Sequence, residues 1–536
     1  MAGSRKPEAV WGTFGVEPTI LVIARTLTST TRLLEALQLF RGDFRIKFLF
    51  TVNDTTPFRG GVHALLAKAG VEQLIPWELV PETHYDLALS ASENVDFDHV
   101  TSHTIVLPHG LGLNKYVPTA DGTGVRLAGL PPYRALADGR VTVVLSHPDQ
   151  EKQVHAACPE AIGHTAVAGD ATFDRLLASE RLRTHYRNRF GAGDRTVVMV
   201  ASTWRPDSAL GRWRTLPAQL LAELPADRYL VCAALHPNIW SWYGPAQIRL
   251  WLADELAAGL VLLPPEKGWH AALIAADQVI TDHGSLGLLA AGLDRPLLLT
   301  GESEETVPGT PVAELTSRAP HLIRGRALLG QLEQASAEHR PGSLSDITDR
   351  VFAEVGSATT RLRDLVYREL GMTPPDGEIP ILRVPDPDVT AAPVTAFAVH
   401  ADGEDPVTLT RYPAAVWINR PDYETHLAVD EAEPNLRITE KAAVLACSTP
   451  RSHDQAVSWT ESALAAFPGA RIAIAATPDG ATAAIRGGRQ VLVVTEAAGD
   501  ALILGSVVYH CLMSGSLRNR RLTVLTGADS AEVELT

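Results

Sequence analysis

The chain has 536 residues, too many for one core, and its length suggests about three domains. Hydrophobic residues at 46% and charged residues at 20% are ordinary globular values. The net charge of −15 argues against a nucleic-acid scaffold, which would carry a basic surface.

Residues Met1 to Pro18 lack the apolar core of a signal peptide. No apolar run approaches the ~20 residues needed to cross a bilayer. A soluble, cytoplasmic protein without a transmembrane segment is expected. Residues 19–24 then read as a strand, and 28–39 as an amphipathic helix with Leu33, Leu34, Leu37 and Phe40 on helical spacing. A strand follows at 45–52 and a helix near 61–69. Further strands are expected at 73–75, 87–89, 104–107, 141–145 and 164–168. Strands alternating with helices imply a mainly parallel sheet. Gly169 to Asp174 ends this series, and a charged helical stretch runs over 175–190. A second βα series spans 196 to about 301, and 343–370 reads as a closing pair of helices.

Six prolines (Pro374, Pro375, Pro380, Pro385, Pro387 and Pro393) mark an extended, semi-rigid linker over 373–393. Beyond it, strands are expected at 442–446, 471–475 and 490–494, with a helix at 500–513. The expected fold is therefore α/β, a GT-B-like pair of Rossmann-like domains (19–175 and 176–370) facing a cleft. The linker 373–393 leads to a smaller α/β or α+β accessory domain at 394–536, which carries no nameable chemical motif. Cys158, Cys232, Cys447 and Cys511 are far apart and form no CxxC pair. Buried free thiols are expected, with no zinc site.

Four motifs follow apolar runs. They are Leu107-Pro108-His109-Gly110, Thr203-Trp204-Arg205, Leu235-His236-Pro237 and Thr281-Asp282-His283-Gly284-Ser285. Each stands at the C-terminal end of an expected buried strand, the edge at which open parallel sheets bind ligands. The helix beginning near Ser285 points free N–H groups out from that edge, which suits the phosphates of a nucleotide. An ordinary βαβ unit with Asp and Ser caps would look the same locally.

In this order and strand context, the motifs resemble the CDP-glycerol glycerophosphotransferase family of GT-B enzymes over roughly residues 100–300. Gly169 and Asp174 resemble the family's Gly-x-x-x-x-Asp element between the domains. Where members carry Tyr-Ser-Ser, this chain has His283-Gly284-Ser285, and Leu111-Gly112 stands where Thr-Pro is usual. UDP-N-acetylglucosamine 2-epimerases are similar at the same helix, but theirs is followed by paired glutamates and this one, Leu286 to Ala291, has no acid. Moving a C2 proton needs such carboxylates.

The resemblance implies a transferase moving a glycosyl or polyol-phosphate group from a nucleotide-diphosphate donor to a hydroxyl acceptor. His109 would be the general base on the acceptor side. His236 would stabilise the departing nucleotide, protonated or as a hydrogen-bond donor, or would merely cap the turn at Pro237. Arg205, Thr281, Asp282, His283, Gly284 and Ser285 form the candidate donor-phosphate site. Asp282 would repel phosphate, so capping or orienting His283 suits it better than direct contact. Arg205 is a phosphate ligand or a surface ion pair, and Trp204 stacks on a base or joins the core. Arg25 and Asn53-Asp54 are further acceptor-side candidates. No cofactor or metal is expected beyond the nucleotide-linked donor as substrate. The alternatives are a nucleotide-sugar epimerase or hydrolase, or a degenerate GT-B binding protein without catalysis. Gly284→Glu is expected to block the phosphate site and spare the fold.

Overall fold

The computed structural model describes residues 18–119, 124–389, 391–417, 424–495 and 500–536. The expectation for Met1 to Pro18 therefore falls outside them apart from Pro18. Strands β1 Thr19–Ala24, β2 Lys47–Val52, β3 Leu87–Ser90, β4 Thr104–Val106, β7 Val141–Leu145 and β8 Thr165–Val167 form the first sheet. The order is β2-β1-β3-β4-β7-β8 and every pairing is parallel. β5 Tyr116–Pro118 and β6 Val125–Leu127 pair as a separate antiparallel ribbon. The stretch 73–75, expected as a strand, contributes only a bridge from Ile75 to Thr51. It follows a Gly-ended helix and is too short to extend the ladder.

The second sheet has the order β11-β10-β9-β12-β13, again all parallel. Its strands are β9 Thr196–Ser202, β10 Tyr229–Leu235, β11 Val261–Leu263, β12 Gln278–Thr281 and β13 Leu297–Leu299. Strands such as Val197 to Ala201 and Leu230 to Ala234 are buried along their length. Continuous apolar runs of this kind belong to parallel strands covered by helices on both faces.

Both sheets reverse strand order, beside β1 in the first and beside β9 in the second. Such switch points open a crevice at the carboxyl ends of the strands. The two crevices face one another across a single cleft lined from both domains.

The chain crosses between the domains twice, and Asp174 ties the crossings together. Its carboxylate accepts the N–H groups of Gly356 at 2.7 Å and Ala358 at 3.0 Å. The helix Ala358–Glu369, read from sequence as part of the second domain's closing pair, packs instead on the first sheet through Leu362, Leu365, Val366 and Tyr367. The proline-rich segment is strapped along the second domain. Tyr186 donates its hydroxyl to the Val384 carbonyl at 2.6 Å, and the Val384 N–H donates to Ser179 at 3.0 Å.

The C-terminal region extends the sequence expectation. Among the described residues, nine strands close into a barrel in the order β14-β15-β21-β22-β20-β19-β18-β17-β16. They are β14 Ala396–Asp402, β15 Val407–Pro413, β16 Thr425–Asp430, β17 Val444–Cys447, β18 Ile472–Thr477, β19 Gly480–Ile485, β20 Arg489–Thr495, β21 Arg520–Thr526 and β22 Asp529–Leu535. The helix Ala501–Met513 shares one apolar cluster with residues from all nine strands, so it fills the barrel. Arg411 fastens the barrel to the second domain through Asp227 and to its own helix start through Asp500.

Candidate functional site

The cleft has a volume of about 600 Å³. His109, Lys115 and Glu93 line it from the first domain, and Arg205, His236 and Ser285 from the second. The loops that carry them are fixed by local chemistry.

Asp282 is 2% exposed and does not line the cleft. One carboxylate oxygen accepts the N–H of Thr203, the hydroxyl of Thr203 and the N–H of Ala209, each at 2.8 Å. The other accepts the Gly284 N–H at 3.1 Å. Asp282 thus shapes the β9 and β12 loops, and it is Asp207 that lies 3.6 Å from His283 Nε2. Burial acts to raise the Asp207 pKa, but the Ser303 hydroxyl and the His283 ring outweigh it and hold the carboxyl low. Thr281 is buried at the end of β12, and its carbonyl accepts the Thr300 N–H at 2.8 Å.

Gly284 occupies the N-cap of the helix Ser285–Gly292, which has no side-chain cap. A Cβ at Gly284 would sit 2.5 Å from Thr203 Cγ2. Thr203 is held by its hydrogen bond to Asp282 and has little room to yield. The expectation that Gly284→Glu spares the fold is therefore corrected: the position excludes any side chain, whatever its charge.

Arg205 has φ +88°, a left-handed conformation that costs a non-glycine residue of order 1–3 kcal/mol. Its carbonyl accepts the Ser208 hydroxyl at 2.8 Å, which stabilises the turn. The guanidinium lies over the Trp204 ring and pairs with Glu305. Trp204 also meets Phe58 edge-on, at 4.9 Å between ring centroids, so it bridges the two domains while lining the cleft.

His236 follows β10 and caps the helix Pro237–Tyr243, with its Nδ1 accepting the Asn238 N–H at 3.1 Å. The neutral ring therefore carries its proton on Nε2. Burial, then the nearby Lys115 and His109, push its pKa down to about 3. These surroundings favour the uncharged ring, in which Nε2 is a hydrogen-bond donor.

His109 follows β4, with its side chain 46% exposed and its Nδ1 3.7 Å from the Glu93 carboxylate. Glu93 is buried, which acts to raise its pKa; His109, backbone N–H donors and Arg126 outweigh this and hold it below the ordinary carboxylate range. The loop after His109 touches the other domain directly. The Leu111 N–H donates to Ser285 Oγ at 3.1 Å. The Tyr116 N–H donates to the Glu305 carbonyl at 2.7 Å, and the Val307 N–H to the Asn114 carbonyl at 2.9 Å. Within this loop Leu113 has φ +68°, a second left-handed residue on the cleft wall.

Arg25, after β1, lines the cleft, and its pKa is lowered by burial against the opposing effect of Glu93. Asn53 is buried outside it, and Asp54 forms an ion pair with Arg59 at 2.7 Å. The sequence reading missed Glu93 and Lys115. Both stand on loops that leave strand ends, but neither belongs to a run with a distinctive spacing. Burial lowers the Lys115 pKa, Arg205 adds to this, and Glu305, Asp207 and Glu93 oppose it.

No family model matches the chain. No curated protein matches it by sequence. Solved structures do, and they include the kinds of protein that the motifs resemble. The wall teichoic acid polymerase TagF is 15% identical over 67% of this chain and 90% of its own, with a TM-score of 0.45. A glycosyltransferase from Rickettsia africae is 10% identical over 66% and 98%, with a TM-score of 0.37. A UDP-GlcNAc 2-epimerase from Methanocaldococcus jannaschii, solved with UDP-GlcNAc and UDP, is 11% identical over 65% and 99%, with a TM-score of 0.39.

Proposed function

We propose that the protein is a GT-B transferase that moves a glycosyl or polyol-phosphate group from a nucleotide-diphosphate donor to a hydroxyl acceptor. The observation that carries this reading is the 3.1 Å hydrogen bond from Leu111, two residues beyond His109, to Ser285 at the uncapped helix start. It sets a basic imidazole on one wall of the cleft against a group of N–H donors on the other.

The donor's phosphates lie against the start of the helix Ser285–Gly292, where backbone N–H groups and the helix dipole favour an anion. Ser285 Oγ accepts from Leu111 and keeps its own proton to donate. Arg205 supplies a fixed positive charge, and the strained turn beneath it holds the guanidinium at the cleft. The His236 Nε2–H adds a neutral donor for the charge that develops on the leaving phosphate.

The acceptor enters from the first domain. His109 takes its hydroxyl proton as the acceptor oxygen bonds to the transferred group. The bond from that group to the nucleotide's phosphate oxygen then breaks, and the nucleotide leaves with the electron pair. Gly110 lets this loop approach closely, since a Cβ there would lie 3.2 Å from Ser285 Oγ.

The test is calorimetric titration with nucleoside diphosphates, together with nucleotide release from CDP- and UDP-linked donors. His109→Ala should retain binding and lose turnover. Absence of any nucleoside diphosphate binding to the wild type would overturn the reading, and unchanged turnover in His109→Ala would remove that residue as base.

A further inference from the structure

The base assigned above needs a defined tautomer, because only a ring nitrogen without a proton can accept one. We propose that Glu93 is the positioning residue that fixes it: its carboxylate, 3.7 Å from His109 Nδ1, holds the proton there and leaves Nε2 free toward the acceptor. This rests on the reading of His109 as base.

Parallel pairing creates the contact. β3 and β4 are neighbours, with Ser90 opposite Val106. The loops that leave them emerge side by side at the sheet edge, so residue 93 and residue 109 meet without any sequence signal joining them. Glu93 is buried, with its side chain 9% exposed, whereas the His109 ring is 46% exposed. A buried carboxylate is held by its surroundings, while the half-exposed imidazole remains able to meet a substrate.

Burial disfavours the charge on Glu93; a protonated His109 opposes this most, followed by backbone N–H donors and Arg126, so that its pKa lies below the ordinary value. The Arg126 guanidinium is itself fixed, donating to the Leu130 carbonyl at 2.8 Å and to Asn94 Oδ1 at 2.7 Å. The charged and titratable groups facing the pair are Arg25 after β1, Arg126 on β6, Lys115 beyond His109, and His236 across the cleft. Arg25, Arg126 and Lys115 each interact electrostatically with Glu93.

When Nε2 takes the acceptor's proton, both ring nitrogens carry protons and the ring becomes cationic. The Glu93 carboxylate then faces that charge and stabilises it without being protonated itself. The same arrangement of carboxylate, imidazole and hydroxyl recurs on unrelated folds because it is set by roles and geometry. At 3.7 Å the Nδ1-to-carboxylate contact lies within ion-pair range.

The test uses the full chain with ring-labelled histidine, with the His109 signals identified by their loss in His109→Gln. Nitrogen NMR should show neutral His109 protonated on Nδ1 in the wild type and on Nε2 in Glu93→Ala. A wild-type ring protonated on Nε2 would overturn the proposal without any variant. Should Glu93→Ala fail to fold, the near-isosteric Glu93→Gln serves: its turnover should fall with KM little changed, and unchanged turnover would also overturn the proposal. Turnover of the donor should fall about 10- to 100-fold in Glu93→Ala with KM little changed, part of the 10²–10⁴ attributed to a general base. The two readings separate here. Normal turnover in His109→Gln would sink the base assignment, whereas a wrong tautomer would sink the role of Glu93 alone.

Discussion

Replacing Asp282 by Ala should unfold the second domain at markedly lower temperature, through scaffold loss and not through lost ligand contact. The wild-type carboxylate accepts four hydrogen bonds, three from backbone N–H groups (Thr203, Ala209 and Gly284) and one from the Thr203 hydroxyl. Hydrogen bonds to a charged acceptor contribute about 1.5–3 kcal/mol each, and a buried donor left without a partner costs about 1–3 kcal/mol. Water at the cleft rim can replace part of this at Thr203 and Gly284, which are only half-buried. A net loss of about 3–6 kcal/mol follows. For a domain of this size 1 kcal/mol moves the melting temperature by about 2–4 °C, so a fall on the order of 10 °C is expected. Asp282→Asn, which keeps one acceptor oxygen, should lose about half as much. Scanning calorimetry resolves the second domain's transition, and titration with a nucleoside diphosphate below that transition reads the site. A fall of less than about 2 °C combined with lost affinity would refute the reasoning, because Asp282 would then act on the ligand.

Gly284→Ala should also lower the melting temperature, since its Cβ would lie 2.5 Å from Thr203 Cγ2; a melting curve matching the wild type would show that the loop yields freely. Arg205→Gly removes a left-handed arginine, with φ +88°, so nucleoside diphosphate affinity should fall while the melting temperature holds or rises; a clear destabilisation would mean that the pair with Glu305 outweighs the strain. In the barrel, His426 is 8% exposed and burial pushes its pKa down to about 3. Its unfolded form takes up a proton that the folded form refuses, so stability is intact above about pH 6.5 and is lost progressively down to pH 3, by at most about 4–5 kcal/mol. His426→Leu should flatten that part of a thermal pH series, and an unaltered slope would remove His426 as its source. Arg411→Ala strands Asp227 and Asp500, and breaking a buried pair costs about 3–5 kcal/mol, so the barrel's transition should separate from that of the second domain in calorimetry.

The residues by themselves determined the elements whose signal is local. A β-branched apolar run such as Thr196-Val197-Val198-Met199-Val200 reads as a strand covered on both faces, and a motif directly behind such a strand stands at the sheet's edge. In this way His109, Arg205, His236 and Ser285 were legible as members of one cleft before any contact was known. Three features became visible only in three dimensions. Asp282 serves the backbone of Thr203 and Ala209, 79 and 73 residues away, which no local pattern encodes. Glu93 meets His109 because β3 and β4 are neighbours in the sheet, and a strand's own residues state its burial without naming its partner. The barrel closes through parallel pairs such as Val407 with Val524, where the alternation of each strand fixes which face is buried but leaves open which strand lies alongside. The burial of an apolar strand follows from its own residues, whereas pairing is a competition among all strands of the chain, and the tertiary structure alone records its outcome.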